Sequence, residues 1–491
     1  MIHQKQVNEY DVILFGSGLG SLIAGILLSR GKRSVLLLKE KGYQPSFTRE
    51  GYRFVPFSNF SEKILRAPSL KRLFHALALQ PLPDPKMGKE GMKTDLSSPA
   101  QKVPFQVILP EARVDLYCDR VQLHGEWKRE FPGELSQIEQ FYNETADYGD
   151  RLKREGLRTE ASPFFPLRYP SLLRGFNSSE PVLRFSPFSR EFKTFIQLQL
   201  MAWGGLLPDR CSTSLAAYLL SMDDPSEWVW NVDLEELKGI LLAEYLRSGG
   251  RVEETRRVEE VHKGWRKGFA LMLAGDGKIV RSKFLVLHSP LHRIVNLPGK
   301  RGKRLSTWAE KMKPASILYP LFLAVHEKVI PVGMKDLLIS IQDLEKPYEG
   351  GNLLMLALGP KGDKAWAPEG KRSLTVESLI PWETYNEDWD LASMDEHKNA
   401  VMKHLCHLIP FLENHVEFMD SDWGNELIRH WSYPHFFYES AFEYHWREGL
   451  VPTRISRNLY LAGNENFPYL GLEGEALSGW MVAREILKKT L

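Results

Sequence analysis

The stretch YDVILFGSGLGS, residues 10–21, decides the fold. Its apolar first half is typical of a buried strand, and the glycines that follow turn the chain into a helix. Gly16 permits the tight turn, Gly18 lets backbone N–H groups approach a phosphate, and the helix that begins near Gly20 presents its positive end. We therefore predict a strand–turn–helix unit that binds a dinucleotide pyrophosphate through its backbone.

The residues that follow the turn agree with this interpretation. The helix runs to Arg30, Gly31 ends it, and residues 34–38 form a continuous apolar strand typical of a parallel sheet. Ser17 lies within the turn, and Ser21 replaces the third glycine of the usual pattern with another small residue. A strand–helix–strand unit with a purely structural role is the alternative.

The end of the second strand departs from the pattern. Lys39 stands where an acid usually accepts a hydrogen bond from a ribose 2′-hydroxyl, and Glu40 follows it. Either Glu40 takes that role or the adenosine end of the dinucleotide is held loosely.

Composition places the chain among ordinary large soluble proteins. It has 491 residues, of which 43% are hydrophobic, and its formal net charge is +2. A chain of this length usually forms two or more core units, and the near-neutral charge argues against a nucleic-acid-binding protein. The three cysteines, Cys118, Cys211 and Cys406, are far apart, which favours neither a disulfide framework nor a metal site. We expect a cytoplasmic protein without a bound metal.

The apolar residues 12–28 have the length of a signal-peptide core or a short membrane span. Glu9 and Asp11 precede them directly, and glycines interrupt them, so the strand–turn–helix unit explains them better. A second apolar run, residues 315–325, is too short and contains Pro320. We expect a soluble protein with at most peripheral contact with a membrane.

The middle of the chain contains a second sheet-forming block. Residues 241–247 indicate a helix, Gly249 and Gly250 end it, and a strand follows over residues 251–258. Residues 269–280 then alternate around a turn.

A third block closes the chain. Residues 284–288 read as a buried strand that still belongs to the second block, and residues 457–463 of the third block read as a strand that ends in glycine. The glycine-rich stretch 471–479 leads into a terminal helix that runs through Lys488.

These blocks, in this order and spacing, resemble the superfamily of FAD-dependent amine oxidases and phytoene desaturases, which also contains the guanine-nucleotide dissociation inhibitors. The resemblance spans nearly the whole chain. It implies an α/β fold in which a Rossmann-like FAD-binding domain is assembled from separated segments, and an α+β substrate domain has a mixed sheet. By similarity, residues 1–75, 226–300 and 451–491 form the FAD-binding domain, and residues 76–225 and 301–450 the substrate domain.

The resemblance also implies which residues contact FAD. Arg49 is the residue that could supply the charge of the family's Gly-Gly-Arg element, which is missing here, and Asn464 stands where the family has an acid. The implied cofactor residues are Gly16, Ser17, Gly18, Gly20, Ser21, Lys39, Glu40, Arg49, Val258, Gly463, Asn464, Gly471, Leu472, Glu473 and Gly474.

The closing motif has a chemistry of its own. A helix that begins near Gly471–Gly474 would point unpaired N–H groups at the flavin ring, and its dipole would favour negative charge on the reduced ring. An ordinary glycine-capped final helix is the alternative.

The resemblance implies an FAD-dependent oxidoreductase that removes hydride from a small, largely apolar substrate, such as an isoprenoid or a lipid. Electrons then pass to oxygen, a quinone or a partner carrier. The sequence does not show which of these is the acceptor. The alternative is a flavin-free binding protein of the dissociation-inhibitor type, which uses the same fold to hold a lipidated or protein ligand. No catalytic side chain is assigned. Residues 429–439, which include His430, His435 and Tyr438, are either a pocket wall or aromatic core packing.

Three more segments carry minor expectations. Residues 162–188 interleave aromatic and basic side chains, which predicts either a membrane interface or a surface lid. The basic run 300–304 reads as a solvated loop. Residues 82–104, rich in Pro, Gly, Ser and Lys, read as a mobile excursion.

Overall fold

The structure is a computed structural model of the chain. It describes residues 8–40, 46–55, 64–66, 105–117, 119–158, 187–204, 213–221, 228–230, 234–255, 258–263, 268–273, 278–288, 314–387, 391–429, 436–438, 452–467 and 471–489.

The α-helices of these residues are, in chain order, α1 (Leu19–Arg30), α2 (Arg120–Glu130), α3 (Leu135–Arg158), α4 (Arg190–Gly204), α5 (Thr213–Leu220), α6 (Leu234–Arg247), α7 (Trp382–Glu387), α8 (Leu391–Leu408), α9 (Asp422–Arg429) and α10 (Gly471–Lys488). Among the helices described, none is long and apolar enough to cross a membrane.

The strands are, in chain order, β1 (Asn8–Phe15), β2 (Val35–Glu40), β3 (Phe47–Arg49), β4 (Tyr52–Phe54), β5 (Ile64–Arg66), β6 (Phe105–Ile108), β7 (Arg113–Leu116), β8 (Trp228–Trp230), β9 (Arg251–Thr255), β10 (Val258–Lys263), β11 (Phe269–Leu273), β12 (Ile279–Leu287), β13 (Pro314–His326), β14 (Leu337–Ile341), β15 (Leu353–Leu358), β16 (Lys371–Pro381), β17 (Val416–Asp420), β18 (Phe436–Tyr438), β19 (Arg454–Ser456) and β20 (Leu459–Leu461).

The first sheet has a parallel core in the order β20-β12-β1-β2-β9. The predicted strand–turn–helix–strand unit is β1, α1 and β2, and Gly31 caps α1 as expected. β11 pairs antiparallel with the first half of β12, and β10 pairs with β11. The side chains of β1 and β2 that lie between helices and sheet are wholly buried, as their continuous apolar runs predict.

One strand was predicted in two pieces, and that prediction was wrong. Residues 278–280 and 284–288 belong to a single strand, β12. Arg281 and Lys283 are exposed and alternate with buried Ser282 in the half of the strand that lies between β1 and β11. The predicted strand 251–258, in contrast, is divided between β9 and β10.

Helices α1, α6 and α10 cover one face of the first sheet. α1 packs against both of the others, and the close approach to α10 occurs at two glycines. A Cβ atom on Gly479 would lie 2.8 Å from the Cα atom of Gly20. Tyr245 of α6 is buried beneath α1, and its hydroxyl donates to the carbonyl of Val35 at 2.9 Å. The first and last helices of the chain therefore share one core.

The second sheet has the order β17-β13-β16-β15-β14-β6-β7, and β18 pairs with β13. It is mixed, because β6 runs parallel to β14 while the other neighbours are antiparallel. Every residue of β14 and β15 is buried, so this sheet is covered on both faces. An α/β fold with a second, mixed sheet is thus confirmed.

The strands of the two sheets come from different parts of the chain. Those of the first sheet lie within residues 8–40, 251–287 and 454–461, and those of the second within residues 105–116 and 314–438. These ranges fall inside the predicted segments, whose boundaries stay predictions.

Candidate functional site

The carboxyl ends of the parallel strands meet at one edge of the first sheet. Beyond the strand ends, the N–H of His288 donates to Phe15 O at 2.8 Å, Gly16 N–H to Leu38 O at 3.1 Å, and Ala462 N–H to Leu287 O at 2.8 Å. The first glycine turn and the glycine after β20 are therefore neighbours. Ligands of open α/β sheets bind at this edge.

The amino-terminal turn has the backbone of a phosphate cradle. Gly16 has φ +99°, and a Cβ atom there would overlap the carbonyl of His288. Gly18 is the N-cap of α1 and offers no side chain, and the first turn of α1 contains no acid. The first N–H groups of α1 thus face the sheet edge with the positive end of the helix dipole.

The two serines of the turn differ in environment. Ser17 is half-buried, whereas Ser21 is wholly buried and its hydroxyl has no hydrogen-bond partner among the described residues. Ser21 is small enough to stand in the place of the third glycine, and its role as a cofactor residue stays a prediction.

The closing motif supplies the second wall of this edge. Gly463 follows β20, and α10 begins at Gly471, which has φ +53°. Leu472 is buried in the core beneath α10, and Gly474 is also buried. The structure thus brings Gly463 and the start of α10 to the same sheet edge as the amino-terminal turn. Asn464 begins a short 3-10 turn, and the side chains of Asn464 and Glu473 lie outside the described residues.

Glu475 and His288 also lie at this edge, and sequence reasoning did not identify either. The carboxylate of Glu475 accepts a hydrogen bond from the backbone N–H of Gly20 at 3.1 Å. The imidazole of His288 lies directly over Gly18, so that a Cβ atom on Gly18 would overlap the ring. His288 Nε2 and Glu475 Oε1 are 3.5 Å apart.

The proton of His288 can be placed by chemistry. Its Nδ1 lies 2.7 Å from the carbonyl oxygen of Ala462, which can only accept, so Nδ1 carries a hydrogen and donates it. Nε2 then faces Oε1 of Glu475 at 3.5 Å. Both side chains are mostly buried, with exposed fractions of 20% for His288 and 13% for Glu475.

A sequence signal for Glu475 existed. In the stretch GLEGEALSG, residues 471–479, it is a charged residue on a helix turn whose neighbours Gly474 and Ala476 are small and buried. His288 had a weaker signal, as the first polar residue after the buried half of β12. Only the fold shows that the two meet.

The other proposed cofactor residues lie near the same end of the sheet. Lys39 is half-buried at the end of β2, in register with Glu254, and the side chain of Glu40 lies outside the described residues. Val258 begins β10 three residues beyond Thr255, the residue paired with Glu40, and is buried.

Arg49 is engaged elsewhere. Its guanidinium forms an ion pair with Asp420 of β17 and lies over the ring of Phe418 at 5.6 Å. The ion pair joins the β3–β4 hairpin to the second sheet, so the carboxylate of Asp420 balances the positive charge of Arg49.

Several other sequence predictions fall mostly outside the described residues. Of residues 429–439, the structure describes the end of α9 and β18, where Phe437 is 1% exposed and packs in the core. His430 and His435 are not among the described residues. Phe188, at the end of the segment 162–188, packs against Phe192 at 4.8 Å between ring centroids. Residues 82–104 and 300–304 also lie outside the described residues.

The sheet edge has the backbone of an FAD site, but two of its side chains stand in the way. The backbone fits: glycines leave space for close approach, and a helix N-terminus faces that space. Two side chains of the chain itself fill part of it, His288 over Gly18 and Glu475 at the N–H of Gly20. The cradle therefore suits a pyrophosphate once these side chains move.

Comparisons with known proteins agree with this description. Residues 334–487 match the family described as flavin containing amine oxidoreductase, a stretch that includes the closing motif. No curated protein sequence matches the chain.

Solved structures match over almost the full chain. A putrescine oxidase double mutant has a TM-score of 0.62 at 13% identity, covering 98% of this chain and 100% of its own. Cyclohexylamine oxidase from Brevibacterium oxydans has a TM-score of 0.57 at 15% identity, covering 98% and 99%. An oxidoreductase from Methanosarcina mazei has a TM-score of 0.59 at 12% identity, covering 96% and 100%. At these identities, the matches establish the fold.

The family match and the fold together confirm the expectations of an oxidoreductase and of FAD as its cofactor, and they do not favour a flavin-free binding protein. The chain has the fold of the FAD-dependent amine oxidase superfamily, and its carboxy-terminal third matches the flavin-containing amine oxidoreductases in sequence.

Proposed function

We propose that this protein is an FAD-dependent oxidoreductase that removes hydride from a small, largely apolar substrate. The observation that carries the proposal is the meeting of two glycine motifs at one sheet edge. The turn at Gly16–Gly20 and the start of α10 at Gly471 come from opposite ends of the chain, and α1 and α10 are in backbone contact.

Each motif has a separate task. The N–H groups at the start of α1 would hold the pyrophosphate, and Gly18 would let the backbone reach it. The N-terminus of α10, near Gly471 and Gly474, would hold the flavin ring with its donors. Bound there, the flavin supplies a hydride acceptor, and the fixed dipole of α10 stabilises the negative charge that the ring gains.

In this proposal the apolar substrate comes from the sequence resemblance to the phytoene desaturases. β14 and β15 are buried at every position, and the aromatic side chains of Phe47, Phe54 and Phe322 pack together, so these parts of the second sheet are packed core. The structural neighbours named putrescine oxidase and cyclohexylamine oxidase make amines the comparison class for the test.

The visible spectrum of the purified protein tests the cofactor. We expect flavin absorption bands and release of FAD on denaturation; a colourless protein that does not bind added FAD would refute the proposal.

Anaerobic mixing then tests the substrate class. Loss of the oxidised flavin spectrum with an isoprenoid or lipid, and not with putrescine or cyclohexylamine, is the expected result. Reduction by the amines alone would replace the apolar substrate with an amine.

A further inference from the structure

The pyrophosphate cradle of this chain already contains an anion of its own. Glu475 Oε1 accepts from Gly20 N–H at 3.1 Å, at the positive end of α1. A helix N-terminus stabilises a carboxylate there for the same reasons that it stabilises a phosphate. Glu475 therefore takes up one of the backbone donors that a dinucleotide would use.

The space over the second glycine is occupied as well. The imidazole of His288 lies on Gly18 and is fixed by two contacts, from Nδ1 to Ala462 O at 2.7 Å and from Nε2 to Glu475 at 3.5 Å. Glycine at this position normally lets a pyrophosphate approach the backbone. In this protein the imidazole ring of His288 contacts Gly18 in the place of a pyrophosphate.

We propose that Glu475 and His288 form an internal plug of the pyrophosphate cradle, and that dinucleotide binding is an exchange in which the pyrophosphate replaces the Glu475 carboxylate. The inference rests on the proposed function, since FAD is the dinucleotide. Two anions cannot share one set of donors, because their repulsion in a mostly buried site is strong. Glu475 must leave Gly20 as the pyrophosphate arrives.

The plug has two consequences. It satisfies one donor of α1, the N–H of Gly20, without cofactor, so the apoprotein keeps a closed cradle. It also lowers the affinity for FAD, since the Gly20–Glu475 hydrogen bond and the His288 contacts must break first. Removal of the plug should therefore raise the affinity for FAD and lower the thermal stability of the apoprotein.

Titration of apoprotein with FAD, followed by flavin fluorescence, measures the first effect. Glu475→Gln keeps the shape and removes the charge, and we expect its Kd for FAD to fall about tenfold or more. His288→Ala empties the space over Gly18 and should also lower the Kd. Both variants should lower the Tm of the apoprotein.

Glu485→Gln is the matched control. Glu485 lies on the same helix, and its partners are Arg454 and Lys489 at the far end of α10. The Kd of the Glu485→Gln variant for FAD should equal that of the wild type.

ADP, which carries a pyrophosphate and no flavin, serves as a second probe. Tighter binding of both FAD and ADP by Glu475→Gln supports the plug. An unchanged or higher Kd for FAD in Glu475→Gln overturns the plug and leaves the flavin function intact. Tighter ADP binding with no FAD binding in any variant keeps the plug and refutes the flavin function. Weaker FAD binding by His288→Ala would make His288 a ligand of the pyrophosphate and overturn its part in the plug.

Discussion

Gly20 and Gly479 lie backbone to backbone where α1 crosses α10, so that a Cβ atom on Gly479 would come within 2.8 Å of the Cα atom of Gly20. The neighbouring atoms belong to the main chain and cannot rotate away. The crossing fixes the start of α1 relative to the start of α10. The crossing therefore sets the distance between the pyrophosphate cradle and the closing motif at the start of α10.

Gly479→Ala tests this crossing. The added methyl group must push two helices apart, and overpacking of this kind costs about 1–3 kcal/mol. Urea unfolding should show that loss in the free energy of unfolding. Gly239→Ala is the control, because among the described residues no atom outside the backbone of α6 lies within 4 Å of the added Cβ, and this variant should stabilise the protein by about 0.5–1 kcal/mol. A Gly479→Ala variant as stable as the wild type would contradict the close crossing.

Gly18→Val should abolish FAD binding. Its side chain would overlap the ring of His288 and would block the approach of the pyrophosphate to the backbone. The flavin content of the purified variant is the measurement. Gly125→Val, on the exposed face of α2 with open space around it, should retain the flavin content of the wild type. Equal flavin in Gly18→Val and wild type would remove the cradle assignment.

Gly474→Ala separates flavin chemistry from helix capping. If the start of α10 contacts the flavin ring, the variant should lose flavin or show a lower reduction potential, because donors to the reduced ring are displaced. A loss of about 1.4 kcal/mol corresponds to roughly 30 mV for a two-electron couple. The Tm of the apoprotein should stay nearly unchanged. A lower Tm with unchanged flavin content and potential would make the motif a structural cap.

A buried histidine should make stability depend on pH. His404 of α8 donates from Nδ1 to Gly351 O at 2.9 Å and accepts at Nε2 from Ser340 at 3.0 Å, so the neutral form is held. Burial lowers the pKa of His404 from 6.5 to about 4. The unfolded chain takes up the proton first as pH falls, so stability is full above about pH 6.5 and is lost towards pH 4.

Each unit of this pKa difference corresponds to about 1.4 kcal/mol. Urea unfolding at pH 7 and at pH 5 should therefore differ less in His404→Gln than in the wild type. Asn399→Gln, at an exposed position of the same helix, should keep the pH dependence of the wild type. An unaltered pH dependence in His404→Gln would show that His404 is not the group responsible.

Local sequence rules predicted the parts of the fold that are set by short-range chemistry. The run of residues 10–21 specifies strand, turn and helix within twelve positions, Gly31 ends α1, and Gly471 begins α10 with φ +53°. Residues 278–280 and 284–288 were read as separate strands because the charged residues Arg281 and Lys283 interrupt the apolar run, although they are exposed positions within one strand.

The contact between His288 and Glu475 could not be predicted in this way. Each residue alone is compatible with a helix face or a strand end. Their meeting depends on the parallel pairing of β12 with β20 and on the crossing of α1 with α10, which join positions hundreds of residues apart.

The shared core of the first and last helices also has a consequence for synthesis. The hydrogen bond from Gly20 to Glu475 spans 455 residues, and ribosomes add about 5–20 residues per second, so the apolar face of α1 waits roughly 25–90 s for its partner. During that interval Ile23 and Ile26, which are wholly buried in the finished protein, lack the cover of α10. We expect chains stalled before residue 471 to bind chaperones and to be cleaved by protease near α1, and complete chains to resist both.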